Sequence, residues 1–325
     1  PIEAARLIND DLKSWFKFDP IYYYHPTDQG FSEMRRRRRG RCEDMTNLAI
    51  FAMRANGLAV TSDYTPFWAD AGNNHAWNAI VTPSGKVIPF MGAESNPNNY
   101  HLANKLAKIY RKMYEKHPEN LIFQKGKDEK IPSWLAGKDY LDVTADYTSV
   151  CDIAVRLAKP VPDSIGVAYL CVFNSGEWQA IDWGRIKDNT ATFKAVGADI
   201  VYLPAFYIDE KIVPAGPPFL LTRDSGMAIF NPDKERLIPL SLISTTNRKL
   251  EVSTDGISHT FLAPGQEYEL SYWDNSWQSI GKSVATDKPM VFFDVPSGCL
   301  YWLVAIGSHR EERIFSIENG YQIWW

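Results

Sequence analysis

The sequence predicts an α+β domain followed by an all-β half, on three observations. Residues 1–100 alternate amphipathic helical stripes with short strands. From about residue 140 the chain turns to short β-runs with turns between them. The second half also matches itself at a constant offset of 99 residues. At that offset Tyr169 meets Tyr268, Trp178-Gln179 meets Trp277-Gln278, Ile181 meets Ile280, Phe193 meets Phe292, Val196 meets Val295 and Tyr202 meets Tyr301. Two tandem β-sandwich-like modules of one kind fit this duplication. The expected division is an α+β domain over 1–139 and modules over 140–224 and 225–325.

In chain order, residues 1–18 carry Ile2, Ala5, Leu7, Ile8, Leu12 and Trp15 near helical spacing, and Asp19-Pro20 ends that helix. Residues 42–56 form a second helix with Met45, Leu48, Ala49 and Ala52 on one face, and Gly57 suits the C′ position. Strands are expected over 59–64, 75–81 and 87–91, the last two joined through Pro83-Ser84-Gly85. Leu102, Leu106, Ile109, Tyr110 and Met113 predict a helix over 100–116, and residues 124–136 a polar connector. Gln322 to Trp325 read as a closing strand.

Composition narrows the class. Hydrophobic residues make up 45% and charged residues 23%, an ordinary globular balance. A net charge of −4 gives no general case for nucleic-acid binding. The run Arg35 to Arg39 is read as a solvated face, or as a receiver of acidic groups on a peptide or polymer. No apolar run is long enough to span a bilayer. The start at Pro1, with no initiator Met, reads as a mature or trimmed form. Cys42, Cys151, Cys171 and Cys299 are widely spaced and suggest neither a zinc site nor a disulfide framework. Cys171 and Cys299 lie in apolar runs and are expected to be inert. No metal or cofactor is implied.

Cys42 is different, because it opens a helix and stands between Arg41 and Glu43. A thiol attacks as thiolate, so its pKa must fall below the free value of ~8.5. The free N–H groups at a helix N-terminus favour that and can hold an oxyanion. Arg41 is expected to add positive potential. His75, 33 residues on and opening a strand, is placed to take the thiol proton as a base. Asn78 is odd-spaced from His75 and should face the other side of the sheet.

Gly40-Arg41-Cys42-Glu43-Asp44, the helix end Met53-Arg54-Ala55-Asn56-Gly57 and the strand His75-Ala76-Trp77-Asn78 together resemble the transglutaminase-like (papain-like cysteine) fold. The resemblance covers roughly residues 30–100. It implies acyl chemistry on amides, in crosslinking enzymes, peptidases and amidases, and it extends to degenerate proteins without activity. One departure is plain. The family's third residue, an Asp that orients the imidazole, falls on Met91 here, and a thioether is a poor acceptor. A tight hairpin at Ser84-Gly85 pairs residues whose numbers sum to about 169, which sets Glu94 opposite His75 as the candidate orienter. Asn96 or a backbone carbonyl are the alternatives.

The expected site is therefore Cys42, His75 and Glu94, with Arg41, Trp68 and Trp77 as candidate substrate contacts; packing is the plainer role of Trp77. Asp63 and Asp70 are either cleft-lining or solvated loop charges, and His25, His101, His117, His259 and His309 belong to no constellation. Trp178 and Trp277 recur at matching positions, which favours a shared packing role over a carbohydrate contact. Two functions follow. The first is a cysteine hydrolase or acyltransferase acting on a peptide, protein or amide-containing polymer, for which the resemblance suggests a secreted, periplasmic or cell-surface location. The second is a degenerate scaffold whose β-modules bind a surface polymer or carbohydrate.

Overall fold

The computed structural model describes residues 1–127, 129–247 and 260–325. The chain divides into two compact units. One comprises Pro1–Pro66, Asn74–Gln124 and Ser133–Ser149; the other comprises Phe67–Asn73, Lys125–Pro132 and Val150–Trp325.

In the first unit, α1 (Ile2–Trp15) buries Ala5, Asn9 and Leu12. The two-residue strands β1 (Lys17–Phe18) and β2 (Arg39–Gly40) pair in parallel around α2 (Phe31–Arg37). The run of arginines thus forms the last turn of a short helix and its exit, where cations oppose the negative end of the helix dipole. Next comes α3 (Cys42–Ala55), which buries Met45, Leu48, Ala49 and Met53. It ends as Gly57 suggested. Gly57 has φ +75°, its N–H donates to Arg54 O, and the Leu58 N–H reaches back to Met53 O, a Schellman closure.

Helix α3 packs on a five-stranded sheet built from β3 (Val60–Thr65), β4 (His75–Val81), β5 (Val87–Phe90), β6 (Tyr110–Lys112) and β7 (Tyr140–Asp142), in the order β5-β4-β3-β6-β7. Strand β4 lies between β5 and β3 with Ala76 to Ile80 buried. Its antiparallel register against β3 sets Thr65 opposite His75.

Two expectations are corrected here. Residues 100–116 form no helix: Tyr110 and Arg111 add to the edge of β3 as a strand. Pairing at an open sheet edge outweighs an apolar stripe of helical period. The boundary placed at 139 falls inside the first unit, because Tyr140–Asp142 pairs with β6.

In the second unit, β8 (Val150–Arg156), β9 (Val167–Asn174), β10 (Glu177–Lys187), β11 (Thr190–Gly197), β12 (Ile200–Ile208), β13 (Lys211–Pro214), β14 (Phe219–Leu221) and β15 (Met227–Ile229) form one sheet. Its order is β15-β14-β12-β9-β10-β11-β8, with β13 also on β12. The strands that follow are β16 (Asp233–Leu242), β17 (Glu267–Trp273), β18 (Trp277–Val284), β19 (Met290–Ser297), β20 (Tyr301–Ala305), β21 (Ile314–Glu318) and β22 (Tyr321–Trp324). They form a sheet in the order β18-β17-β20-β21-β22 and a β16-β19 ribbon that shares one core with it through Leu240, Phe292, Leu270, Tyr301 and Phe315.

The 99-residue offset reappears in backbone detail. Pairing skips Ile181 in β10 and Ile280 in β18, so both carry a bulge at the same repeat position. Ala195 and Asp294 share positive φ, 49° and 55°, at the irregularity of β11 and β19. The Tyr202 hydroxyl donates to Gly197 O at 2.7 Å and the Tyr301 hydroxyl to Pro296 O at 2.6 Å. The repeated tryptophans pack. Trp178 meets Trp273 at 5.5 Å between ring centroids, and Trp277 meets Trp273 at 5.1 Å and Phe173 at 5.7 Å.

Segment 67–73 belongs to this unit although it lies between β3 and β4 in the chain. The Asn174 amide donates to the carbonyls of Trp68, Ala71 and Asn73, each at 2.9 Å, and the buried Arg313 donates to those of Ala69 and Ala71. Among the described residues no helix is long and apolar enough to cross a membrane.

Asp63 is the most heavily bonded carboxylate of the first unit. It is wholly buried, takes a two-pronged ion pair from Arg111 at 2.8 and 2.7 Å, and accepts from the hydroxyls of Thr61 (2.9 Å) and Tyr147 (2.6 Å). It therefore lines no cleft. Removing one partner of such a pair strands the other charge. Asp63→Ala should lower the unfolding free energy in urea by about 3–5 kcal/mol. A loss under ~1 kcal/mol would show that the pair adds no more than an exposed one.

Candidate active site

The start of α3 is fixed by a carboxylate. Asp44 is buried and accepts from the backbone N–H of Arg41 (3.0 Å), the backbone N–H of Gln29 (2.8 Å) and the Gln29 amide (3.0 Å). This satisfies donors that a helix start leaves open and places an anion at the positive end of the dipole. Gly40 is required beside it: a Cβ there would lie 2.6 Å from Asp44 Cβ. The Asp of the Gly-x-Cys-x-Asp pattern thus serves the helix, not the reaction.

Cys42 is the first residue of α3 and is only 2% exposed. The Ala76 backbone N–H acts on the thiol and favours its ionised form, which puts Cys42 near the start of β4. Two further groups touch Sγ: the Glu43 carboxylate, Oε2 at 3.2 Å, and the Tyr23 hydroxyl at 3.9 Å. The expected lowering of the thiol pKa is not what this setting produces. Burial first, and the Glu43 charge second, push the Cys42 thiol up to about 11, against the smaller pull of the Ala76 N–H. Arg41 does not relieve this, since its guanidinium is held by Asp28 at 2.8 Å and Glu43 at 3.3 Å. With Glu43 and Asp44 both in the first turn, the helix end is already neutralised.

His75 opens β4 with its ring half-buried. Burial lowers its pKa, with the Glu43 charge opposing, so the resting imidazole is neutral at pH 7. The Tyr100 hydroxyl lies 2.8 Å from Nε2. Burial, then the charge of Glu94, holds that phenol above its ordinary range. Trp77 backs the ring at 5.8 Å between centroids and is tied by its Nε1–H to the Tyr147 hydroxyl at 3.1 Å, hence to Asp63. Being fully buried, Trp77 has no surface to offer a substrate.

The orienter expected from the hairpin is corrected. The β4–β5 register sums to 168 and stops at Asn78–Phe90, after which Met91 to Ser95 form a turn. Glu94 lies exposed on that turn and reaches the site through its charge on Tyr100. Asn96 accepts from the Asn9 amide and donates to Asp10, bracing α1. Asn78 does face away from His75, and its amide donates to Thr46 O and Thr61 O, both at 3.1 Å, tying α3 to β3. Trp68 is buried within the segment of the second unit. His259 lies outside the described residues. Cys171 and Cys299 are buried, and burial raises both thiols. Among the described residues no group of three or more His, Cys, Asp or Glu is arranged to hold a metal.

The residues missed by sequence reading are Glu43, Tyr23 and Tyr100. Glu43 was in view as the neighbour of Cys42 but was not read as its hydrogen-bond acceptor. Tyr100 sat inside the mistaken helix.

A titration tests this electrostatic account. Thiolate grows as pH rises through the pKa, so at pH 7 a pKa of about 11 leaves about one thiol in ten thousand ionised. Iodoacetamide alkylation of Cys42, mapped by mass spectrometry, should keep accelerating above pH 9. Glu43→Gln removes a nearby anion and should shift that profile to lower pH. A midpoint at or below ~8.5, unmoved by Glu43→Gln, would contradict the account.

Residues 1–90 match the family model described as Transglutaminase-like superfamily. No curated protein matches the chain. The match to the transglutaminase-like superfamily thus covers residues 1–90, and the remainder is rich in β-sheet.

Proposed function

We propose that the first unit is a cysteine-dependent acyl-transfer site acting on peptide or amide bonds, with Cys42 as nucleophile, His75 as base and acid, and Tyr100 as positioning residue. One observation carries the reading: the thiol that opens α3 feels the backbone N–H of Ala76, the chain neighbour of His75, whose ring is held on Tyr100 at 2.8 Å. When the ring carries its proton on Nε2 and donates it to Tyr100, the Nδ1 lone pair serves the thiol. Nδ1 takes the thiol proton as sulfur bonds to the amide carbonyl carbon. The N–H groups at the start of α3 receive the oxyanion. The imidazolium returns its proton to the leaving nitrogen as the C–N bond breaks, leaving a thioester. Water, deprotonated by Nδ1, then releases the acid and the thiol. Hydrolysis is preferred to crosslinking because it asks for no second substrate site.

Glu43 must leave the sulfur for this sequence to begin, and a substrate that displaces it supplies that step. The strand-by-strand recurrence in the second unit supports two copies of one β-module, whose role is to present the domain to a polymer. A second reading has its own observation. A thiol held by a carboxylate, and Met91 where the family has Asp, fit a retired site on a scaffold.

Turnover on an amide library separates the two readings. Cys42→Ala should abolish it, and His75→Ala should reduce it by ~10²–10⁴-fold. Tyr100→Phe should reduce it about 2- to 13-fold, the worth of one hydrogen bond of ~0.5–1.5 kcal/mol. Turnover that survives Cys42→Ala would overturn the Cys42 assignment, and no turnover on any amide would leave the scaffold reading.

A further inference from the structure

Three helices of the first unit frame an open trough of about 510 Å³. Leu12 and Leu48 form its floor, Trp15, Phe31 and Phe51 its walls, and Arg35 and Asp11 stand at its lips. Phe31 and Phe51 are 46% and 49% exposed and meet edge to face at 5.8 Å. Two phenyl rings half in water at the lip of an apolar trough leave area for a partner to cover.

Its lining carries one charge of each sign, Asp11 and Arg35, and the arginine run continues from the second. Along the arginine run, Arg37 pairs with Glu33 and Arg39 with Asp19, whereas Arg35, Arg36 and Arg38 are exposed and have no ion-pair partner among the described residues. Arg35 lines the trough, and Arg36 and Arg38 follow it at the exposed end of α2, so the guanidinium charge on this side favours an anionic occupant. The shape calls for a helix. Leu48, Phe51, Ala52 and Ala55 of α3 line the trough at i, i+3, i+4 and i+7, a ridge of the kind that receives another helix. Asp11 on the opposite lip disfavours a bare acyl carboxylate, but it leaves room for a helix whose acidic residues lie along one edge.

We infer that this trough is a docking site for an acidic amphipathic helix of a partner protein, its apolar residues between Trp15, Phe31 and Phe51 and its carboxylates toward Arg35 and the exposed arginines that follow it. The inference stands apart from the acyl-transfer reading, because its test involves no turnover.

The test is fluorescence anisotropy on the full chain with a labelled synthetic helix, Leu at i, i+3, i+4 and i+7 and Glu elsewhere. The wild-type chain should bind it saturably and more weakly as salt rises. Arg35→Glu and Phe51→Ser, both at exposed positions, should each weaken binding ~10-fold with an unchanged circular dichroism spectrum. A peptide with Lys for Glu should not bind. Absence of saturable binding by the wild-type chain overturns the inference, as does equal binding of the Lys peptide. Two other results overturn it in favour of a different occupant: sedimentation with phosphatidylserine vesicles that Arg35→Glu abolishes while the peptide fails to bind, or self-association that Phe51→Ser abolishes.

Discussion

The seating of α3 on β4 is the constraint on which the site depends. Asp44 closes the helix start from below, and the Asn78 amide ties the first turns to β3. These buried polar contacts set where Cys42 can lie, and its thiol feels the Ala76 backbone N–H of β4. Trp77, on the same face of β4 as His75, joins the imidazole to the Asp63–Arg111–Tyr147 network behind it. Such networks rigidify when every member is satisfied. The geometry is therefore set by buried hydrogen bonds two residues removed from the chemistry.

The electrostatics run the other way from the simplest reading of a helix-borne thiol. The positive end of α3 is answered twice, by Asp44 and by Glu43, and burial disfavours the thiolate further. At rest Cys42 is a neutral thiol and His75 a neutral imidazole. A site in that state spends none of its stability on a desolvated ion pair and is slow to react with chance electrophiles. The acyl transfer proposed above would need a substrate that moves Glu43, lends its carbonyl to the helix N–H groups and lets the proton pass to His75 in one step. Tyr100 fits this picture less tightly than a carboxylate. A phenol can either give or take a hydrogen bond, so it holds the ring in place without fixing its tautomer.

Much of this was legible in residue order. Cys42 at a helix start, Gly57 at its end and His75 at the head of a strand are local signals whose physical causes lie within a few positions. The duplication was legible because bulges at Ile181 and Ile280 fall in step, so no gap blurs the offset. What failed were decisions made by distant pairing. The stripe at 102–113 has helical period, yet β3 had an edge to fill and took Tyr110 and Arg111. Residues 140–142 look like the start of the β half, but they complete the sheet of the first unit. The partner of His75 was sought among carboxylates placed by hairpin register. A one-residue register difference and the turn at Met91 to Ser95 moved Glu94 out to solvent and left the position on Nε2 to Tyr100.

The central claim is that Cys42 carries an acyl group during turnover, and trapping that group tests it most directly. The full chain is mixed with an activated aryl ester of a short peptide, quenched in acid and analysed by intact mass and peptide mapping. The account predicts one acyl group per chain, on Cys42, formed far more slowly in His75→Ala. No adduct on wild-type protein, or acylation shared with Cys151 and indifferent to His75→Ala, would contradict it.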